Sequence, residues 1–216
     1  VSTPIKIDIW SDIACPWCYI GKRRLETALE TFDDAPVEVE YHSFELTPDM
    51  PDDYEGTNAD FLTKRKGFPA DQVGKMTERV VDIAASVGLD YDFEHLRPTN
   101  TVKSHQVLHL AKQHGKQVEL KERLLSAYFV EGRRLADPEV LADLAAEVGL
   151  DRSEVLDVLA NDKFVDAVRE DQQQAIRYGI QGVPFYVVEG KYGVSGAQAS
   201  ETFVQVLRKV VEERDA

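Results

Sequence analysis

Cys15-Pro16-Trp17-Cys18 places the chain's two cysteines three residues apart. At a helix start, residues so spaced have Cα atoms about 5–6 Å apart, a separation that suits both a helical turn and a disulfide. Such a pair opens and closes without moving the backbone, which is what thiol–disulfide exchange requires. Cys15 falls at the predicted first position, where unpaired N–H groups and the positive end of the helix dipole favour a thiolate, so it is the candidate nucleophile. Cys18, one turn in, is placed to attack the resulting mixed disulfide and release the partner. Pro16 stiffens the turn, because its missing N–H would have had no partner there and its φ is already helical.

The same spacing serves other chemistry. A C-x-x-C pair is half of a zinc site, but the remaining ligands would have to come from His42, His95, His105, His109 and His114, mostly distant in sequence. His105 and His109 stand one helical turn apart and reach the thiols only if their segment folds over them; no metal is assigned. A purely structural disulfide closing so short a loop would constrain the unfolded chain little. Lys22 shares a helix face with the cysteines at roughly 10 Å, near one Debye length, so Lys22, Arg23 and Arg24 are read as solvated surface. Gly182-Val183-Pro184 opens a strand-like run, where a proline is either a trans residue at the strand's first position or part of a cis bond.

The elements that must position these residues follow from periodicity. Ile5, Ile7 and Ile9 alternate with Lys6, Asp8 and Trp10, predicting a strand. Leu25, Ala28, Leu29 and Phe32 recur at helical spacing, and Val37, Val39 and Tyr41 alternate again, so residues 1–47 read as a βαβ unit with the cysteines at the strand-to-helix turn. From about Pro48 to Gly179 the pattern is almost wholly helical, with Gly88 and Gly149 where helices should stop. Residues 48–179 are therefore expected to form a helical insertion domain whose last helix leads back to the core. Residues 180–216 supply a hairpin and an amphipathic helix through Phe203, Val206, Leu207, Val210 and Val211, a ββα half. The expected fold class is α/β, thioredoxin-like, with the helical domain between the two halves.

Composition narrows the function classes. The 216 residues, 43% hydrophobic and 30% charged, suit one soluble domain carrying an insertion. The net charge of −14 repels a phosphate backbone, so nucleic acid is not an expected partner. No stretch approaches the roughly 20 apolar residues of a membrane span, and the opening VSTPIKIDIW lacks a basic region followed by an apolar run; no membrane partner and a cytoplasmic setting are expected.

With its elements in this order, the sequence resembles the DsbA-like branch of the thioredoxin superfamily over nearly the whole chain. It is most similar to the FrnE-type group, through SDIACPWCYIGKRRLE, YHSFELTP, NTVKSHQVLHLA, FVEGRRLADPEVL and GVPFYVVEGKYGVSGAQ. The resemblance implies a disulfide oxidoreductase or isomerase with Cys15 and Cys18 catalytic. It also implies a cis Val183-Pro184 bond packed against them, and substrate held near Pro16, Trp17, Val183 and Pro184, docking by backbone hydrogen bonds beside Val183. Expected partners are disulfide-containing proteins or small-molecule thiols, glutathione among them, with no cofactor. Glutathione-dependent isomerases and kappa-class transferases of the same branch carry serine where Cys15 stands, which favours disulfide exchange here. A peptide-binding chaperone using Trp17 and the strand edge is the third reading.

Overall fold

The computed structural model describes residues 3–215. Strand β1 (Ile5–Ser11) leads through Cys15 into helix α1 (Pro16–Thr31) and back into strand β2 (Val37–Ser43), which pairs parallel to β1 with Ile7 opposite Val39. Strands β3 (Phe185–Val188) and β4 (Tyr192–Ser195) close the sheet in the order β2-β1-β3-β4, with β3 antiparallel to β1. Helix α9 (Ser200–Asp215) ends the chain.

Alternation along β1 divides the sheet into two faces. Ile5, Ile7 and Ile9 point to one side, where α1 contributes Leu25 and Ala28 and α9 contributes Phe203, Leu207 and Val210. Trp10 points to the other side, with Val187, Ala175 and Ile180.

Between the halves lie the short helix α2 (Asn58–Asp60), a π-helical turn (Phe61–Arg65) and six longer helices: α3 (Ala70–Ala85), α4 (Val102–Gln113), α5 (Gln117–Phe129), α6 (Pro138–Glu147), α7 (Arg152–Ala160) and α8 (Val165–Arg177). Their own core joins Leu108, Leu124, Leu141 and Val155, with Ile13, Tyr19 and Ile20 reaching in from the cysteine-bearing segment. This is a thioredoxin-type α/β fold with a helical block between its βαβ and ββα halves. Local chemistry sets its helix ends. Asp137 and Asp151 accept from the N–H groups of Glu139 and Glu154, each at 2.9 Å, capping α6 and α7. Gly88 and Gly149 take φ values of 79° and 95°, and the following residues Leu89 and Leu150 donate back to Ala84 and Ala145.

Helix does not begin at Pro48 as the pattern suggested. Pro48 and Pro51 keep residues 48–56 irregular, and the first helix waits for Thr57, whose hydroxyl accepts from Asp60 N–H at 3.1 Å while the Asp60 carboxylate accepts from Thr57 N–H.

Two polar contacts dock the helices on the sheet. The Gln117 amide accepts from Tyr41 N–H and donates to Tyr41 C=O, both at 2.9 Å. Asp171 of α8 accepts from Ser43 N–H at 2.7 Å, from His42 Nδ1 at 3.0 Å and from His109 Nε2 at 3.0 Å, while its carbonyl accepts from the Trp10 indole at 3.0 Å. His42 also meets Asp8 at 2.7 Å and stacks on Trp10.

Burial opposes a charge on His42, yet the hydrogen bonds and charges of Asp171 and Asp8 outweigh it and raise the imidazole to about 9. Burial likewise opposes ionisation of Asp171, but His109, His42 and the Ser43 N–H hold its carboxyl well below the usual range. The raised histidine contributes stability that is complete below its unfolded value near ~6.5 and lost as pH rises through about 9; the depressed carboxylate's share is present above ~3.9 and lost as pH falls through its folded value. Asp171→Ala should therefore lower the unfolding free energy by about 3 kcal/mol near pH 6. Urea titrations should show the deficit shrinking by pH 10; a deficit independent of pH would remove the His42 charge from the account.

Candidate active site

Cys15 forms the N-cap of α1 with extended backbone, and Pro16 follows as the first helical residue. Cys18 N–H donates to the Cys15 carbonyl at 3.0 Å, so the turn carries both sulfurs on one rigid corner. Both thiols are free, and each residue is only 3% exposed. The Cys15 thiol donates to the Val183 carbonyl at 3.4 Å, and the Val183-Pro184 bond is cis. Gly21 makes this proximity of α1 and β3 possible: a Cβ there would lie 2.3 Å from the Tyr186 hydroxyl and 3.2 Å from Pro184 Cγ.

The charges around the pair come from three separate elements. Asp12, buried in the turn before Cys15, accepts from Leu46 N–H at 2.8 Å and from His105 Nε2 at 3.1 Å; despite its burial these partners keep the carboxyl ionised and its pKa lowered. Lys121 of α5 is 1% exposed and has no carboxylate within ion-pair distance among the described residues. Burial brings its ammonium down to about 8, partly offset by Cys18, Asp12 and Cys15, the negative or ionisable groups it faces.

The two thiols are displaced in opposite directions. Burial pushes Cys18 up, but its contact with the Cys15 thiol and the charge of Lys121 bring it below the ordinary thiol value. Contact with Cys18, together with burial, drives Cys15 well up while both groups are thiols and no substrate is present. Lys22 is also not solvated surface. It is 3% exposed and clamps α1 to α5, pairing with Glu26 and with Glu122 at 2.6 Å, so its charge is spent on those carboxylates. Arg23 joins the same clamp, and Arg24 donates to the Ala197 carbonyl.

Above the pair lies a cleft of about 650 Å³ between the cysteine turn and the inserted helices. Cys15, Pro16, Trp17 and Val183 line it; Cys18 and Pro184 stand behind them. Trp17 is 37% exposed at its edge. The far wall belongs to the insertion, with Phe61, Leu62, Phe68, Val80 and Phe93. Tyr91 joins the two sides by donating to the Pro16 carbonyl at 2.7 Å. His105 and His109 do fold over the site's surroundings, but they serve Asp12 and Asp171. A cluster of Asp8, Glu40 and His42 has metal-ligand spacing on the opposite sheet face, where Lys6 and Lys112 already pair with its carboxylates.

Sequence reading passed over Lys121, Asp12 and Tyr91. Lys121 had a signal: it interrupts the apolar stripe of Leu120, Leu124 and Leu125 at a position that must face inward.

A free dithiol at a helix start, beside a cis X-Pro carbonyl on a four-stranded sheet, defines a thioredoxin-type thiol–disulfide site. Residues 6–208 match the model of the DSBA-like thioredoxin domain family, and the chain belongs to that family of thiol–disulfide oxidoreductases. The chain is 28% identical to the uncharacterized protein YwbO of Bacillus subtilis, over 94% of this chain and 96% of that one. It superposes with a TM-score of 0.89 on a probable DsbA oxidoreductase of Streptomyces coelicolor, 39% identical, covering 95% of this chain and 89% of that structure. The cytosolic disulfide reductase DsbM of Pseudomonas aeruginosa, solved with GSH, shares the fold at a TM-score of 0.67 and 18% identity, covering 96% and 99% of the two chains.

Lys121→Met keeps the buried stem and removes the charge. Its thiols should ionise at higher pH, with alkylation of the native protein at pH 7 roughly tenfold slower than in wild type. Iodoacetamide kinetics followed across pH test this; an unchanged profile would show that the ammonium does not act on the pair.

Proposed function

We propose that the chain exchanges disulfides through Cys15 as nucleophile and Cys18 as resolving thiol. The observation that carries this reading is that, of two buried and adjacent sulfurs, Cys15 alone lines the cleft. Cys15 reacts as its thiolate, which the start of α1 and the Lys121 charge favour, after its proton has passed to solvent. Cys15 thiolate then attacks one sulfur of R–S–S–R, forming a Cys15–S–R bond and expelling RS⁻. Cys18 then attacks the Cys15 sulfur, the Cys15–S–R bond breaks and the second RS⁻ leaves, the Cys18 proton passing to a departing thiolate. One substrate disulfide is reduced to two thiols, and the protein dithiol is oxidised to the Cys15–Cys18 disulfide. The reverse sequence oxidises a dithiol, and isomerisation stops at the mixed disulfide and returns it to a different sulfur.

The half-buried Val183, whose carbonyl already meets Cys15, supports docking of a substrate backbone alongside it, with Pro16, Trp17 and Pro184 shaping the approach. A cytoplasmic setting, with a glutathione poise between roughly −220 and −320 mV, would favour the dithiol as the resting form. No helix among the described residues is long and apolar enough to cross a membrane.

A glutathione-dependent reaction is the second reading, favoured by the cleft that the inserted helices wall beside Cys15 and by the GSH in the DsbM structure. Here activity would survive Cys18→Ser and show saturable dependence on glutathione.

Insulin reduction with dithiothreitol as electron donor tests the leading reading. Cys15→Ser should fall to the uncatalysed rate, and Cys18→Ser should accumulate a mixed disulfide visible by mass spectrometry. Wild-type turnover by Cys15→Ser would overturn it.

A further inference from the structure

The charge of the cleft runs against the charge of the chain. Acidic residues outnumber basic ones 39 to 25 overall, yet the charged side chains lining the cleft are Lys66 and Arg79, with no Asp or Glu among its described lining residues. Their neighbours show that this is not a general surplus of cations. Lys64 pairs with Asp60 at 2.6 Å, Arg65 with Asp49 at 2.9 Å and Lys103 with Asp52 at 2.7 Å. Lys66 instead donates to the Leu46 carbonyl at 3.2 Å and lies 5.5 Å from the Phe61 ring centre. Arg79 has no carboxylate within ion-pair distance among the described residues. The remaining wall is mostly apolar and aromatic, and about 650 Å³ falls within the range of small-molecule pockets.

A matching occupant offers apolar surface to the aromatic wall and negative charge to two exposed cations that have no carboxylate partner among the described residues. Resting on the dithiol reading above, we infer that the cleft selects small disulfides with an apolar body and a carboxylate end, held by Lys66 and Arg79 while a disulfide sulfur lies against Cys15. In one turnover such a disulfide leaves as two carboxylate-bearing thiols and the protein leaves as its Cys15–Cys18 disulfide, with electrons and protons supplied by the protein dithiol. An external thiol of any kind then restores the dithiol.

Single-turnover mixing of fully reduced protein avoids any dependence on that external thiol. The probes are diphenyl disulfides carrying para carboxylate or para trimethylammonium groups, and the short aliphatic disulfide of mercaptoacetate. Each rate is divided by the rate of the same compound with free dithiothreitol, which cancels intrinsic reactivity. The aryl carboxylate should exceed both other probes by about tenfold, as two ion contacts at the open rim of the cleft predict at low salt, and its advantage over the aryl ammonium should fade with added salt. In Lys66→Gln/Arg79→Gln the carboxylate-to-ammonium ratio should fall toward one, and Lys66→Arg/Arg79→Lys should restore it. Equal normalised rates for the two aryl probes in wild type, or a ratio unmoved in the double glutamine variant, would overturn charge selection while leaving the dithiol reading intact. A larger normalised rate for the disulfides of an oxidised, unfolded polypeptide than for the aryl carboxylate would overturn the small-molecule assignment. Failure of wild type to react with any disulfide would overturn both readings together.

Discussion

An ammonium group has no place in a protein interior unless something negative answers it. Lys121 meets that condition through the thiols and Asp12, with no carboxylate in direct contact, and this joins the two parts of the molecule. The sulfurs belong to the βαβ half, whereas Lys121 is carried by α5 of the inserted block. The position of the insertion therefore bears directly on the electrostatics of the dithiol.

The surrounding contacts make that arrangement stiff. Glu122, the next residue on α5, reaches Lys22 and Arg23 on the outer side of α1, while Gln117 one turn earlier reaches β2. Three positions on one helix therefore index α5 against both the cysteine helix and the sheet. Asp12 is fixed equally firmly, between the Leu46 amide and His105. The groups that face the dithiol are thus held in place by contacts on both parts of the molecule.

Features encoded by local repetition were legible in the sequence. The alternation of Ile5, Ile7 and Ile9 announced β1, the spacing of the cysteines announced their turn, and Gly88 and Gly149 marked helix ends by their need for positive φ. What escaped depended on partners far along the chain. Lys22 looked like surface because Glu122 lies 100 residues away, and Lys121 was passed over because only the fold brings it to face the cysteines. The cleft was not legible, because its walls are assembled from segments on both sides of the fold and no window of sequence contains them. The delayed start of helix after Pro48 is a milder case, in which prolines overruled an otherwise helical composition.

The Gln117 amide has a further meaning at the border of the sheet. β2 is an outermost strand of the sheet, the kind of border on which stray polypeptides nucleate aggregates. By giving one acceptor and one donor to Tyr41, the side chain imitates a neighbouring peptide unit and fills that stretch of border from within the same molecule. Pairing of a foreign strand along β2 is thereby interrupted at Tyr41.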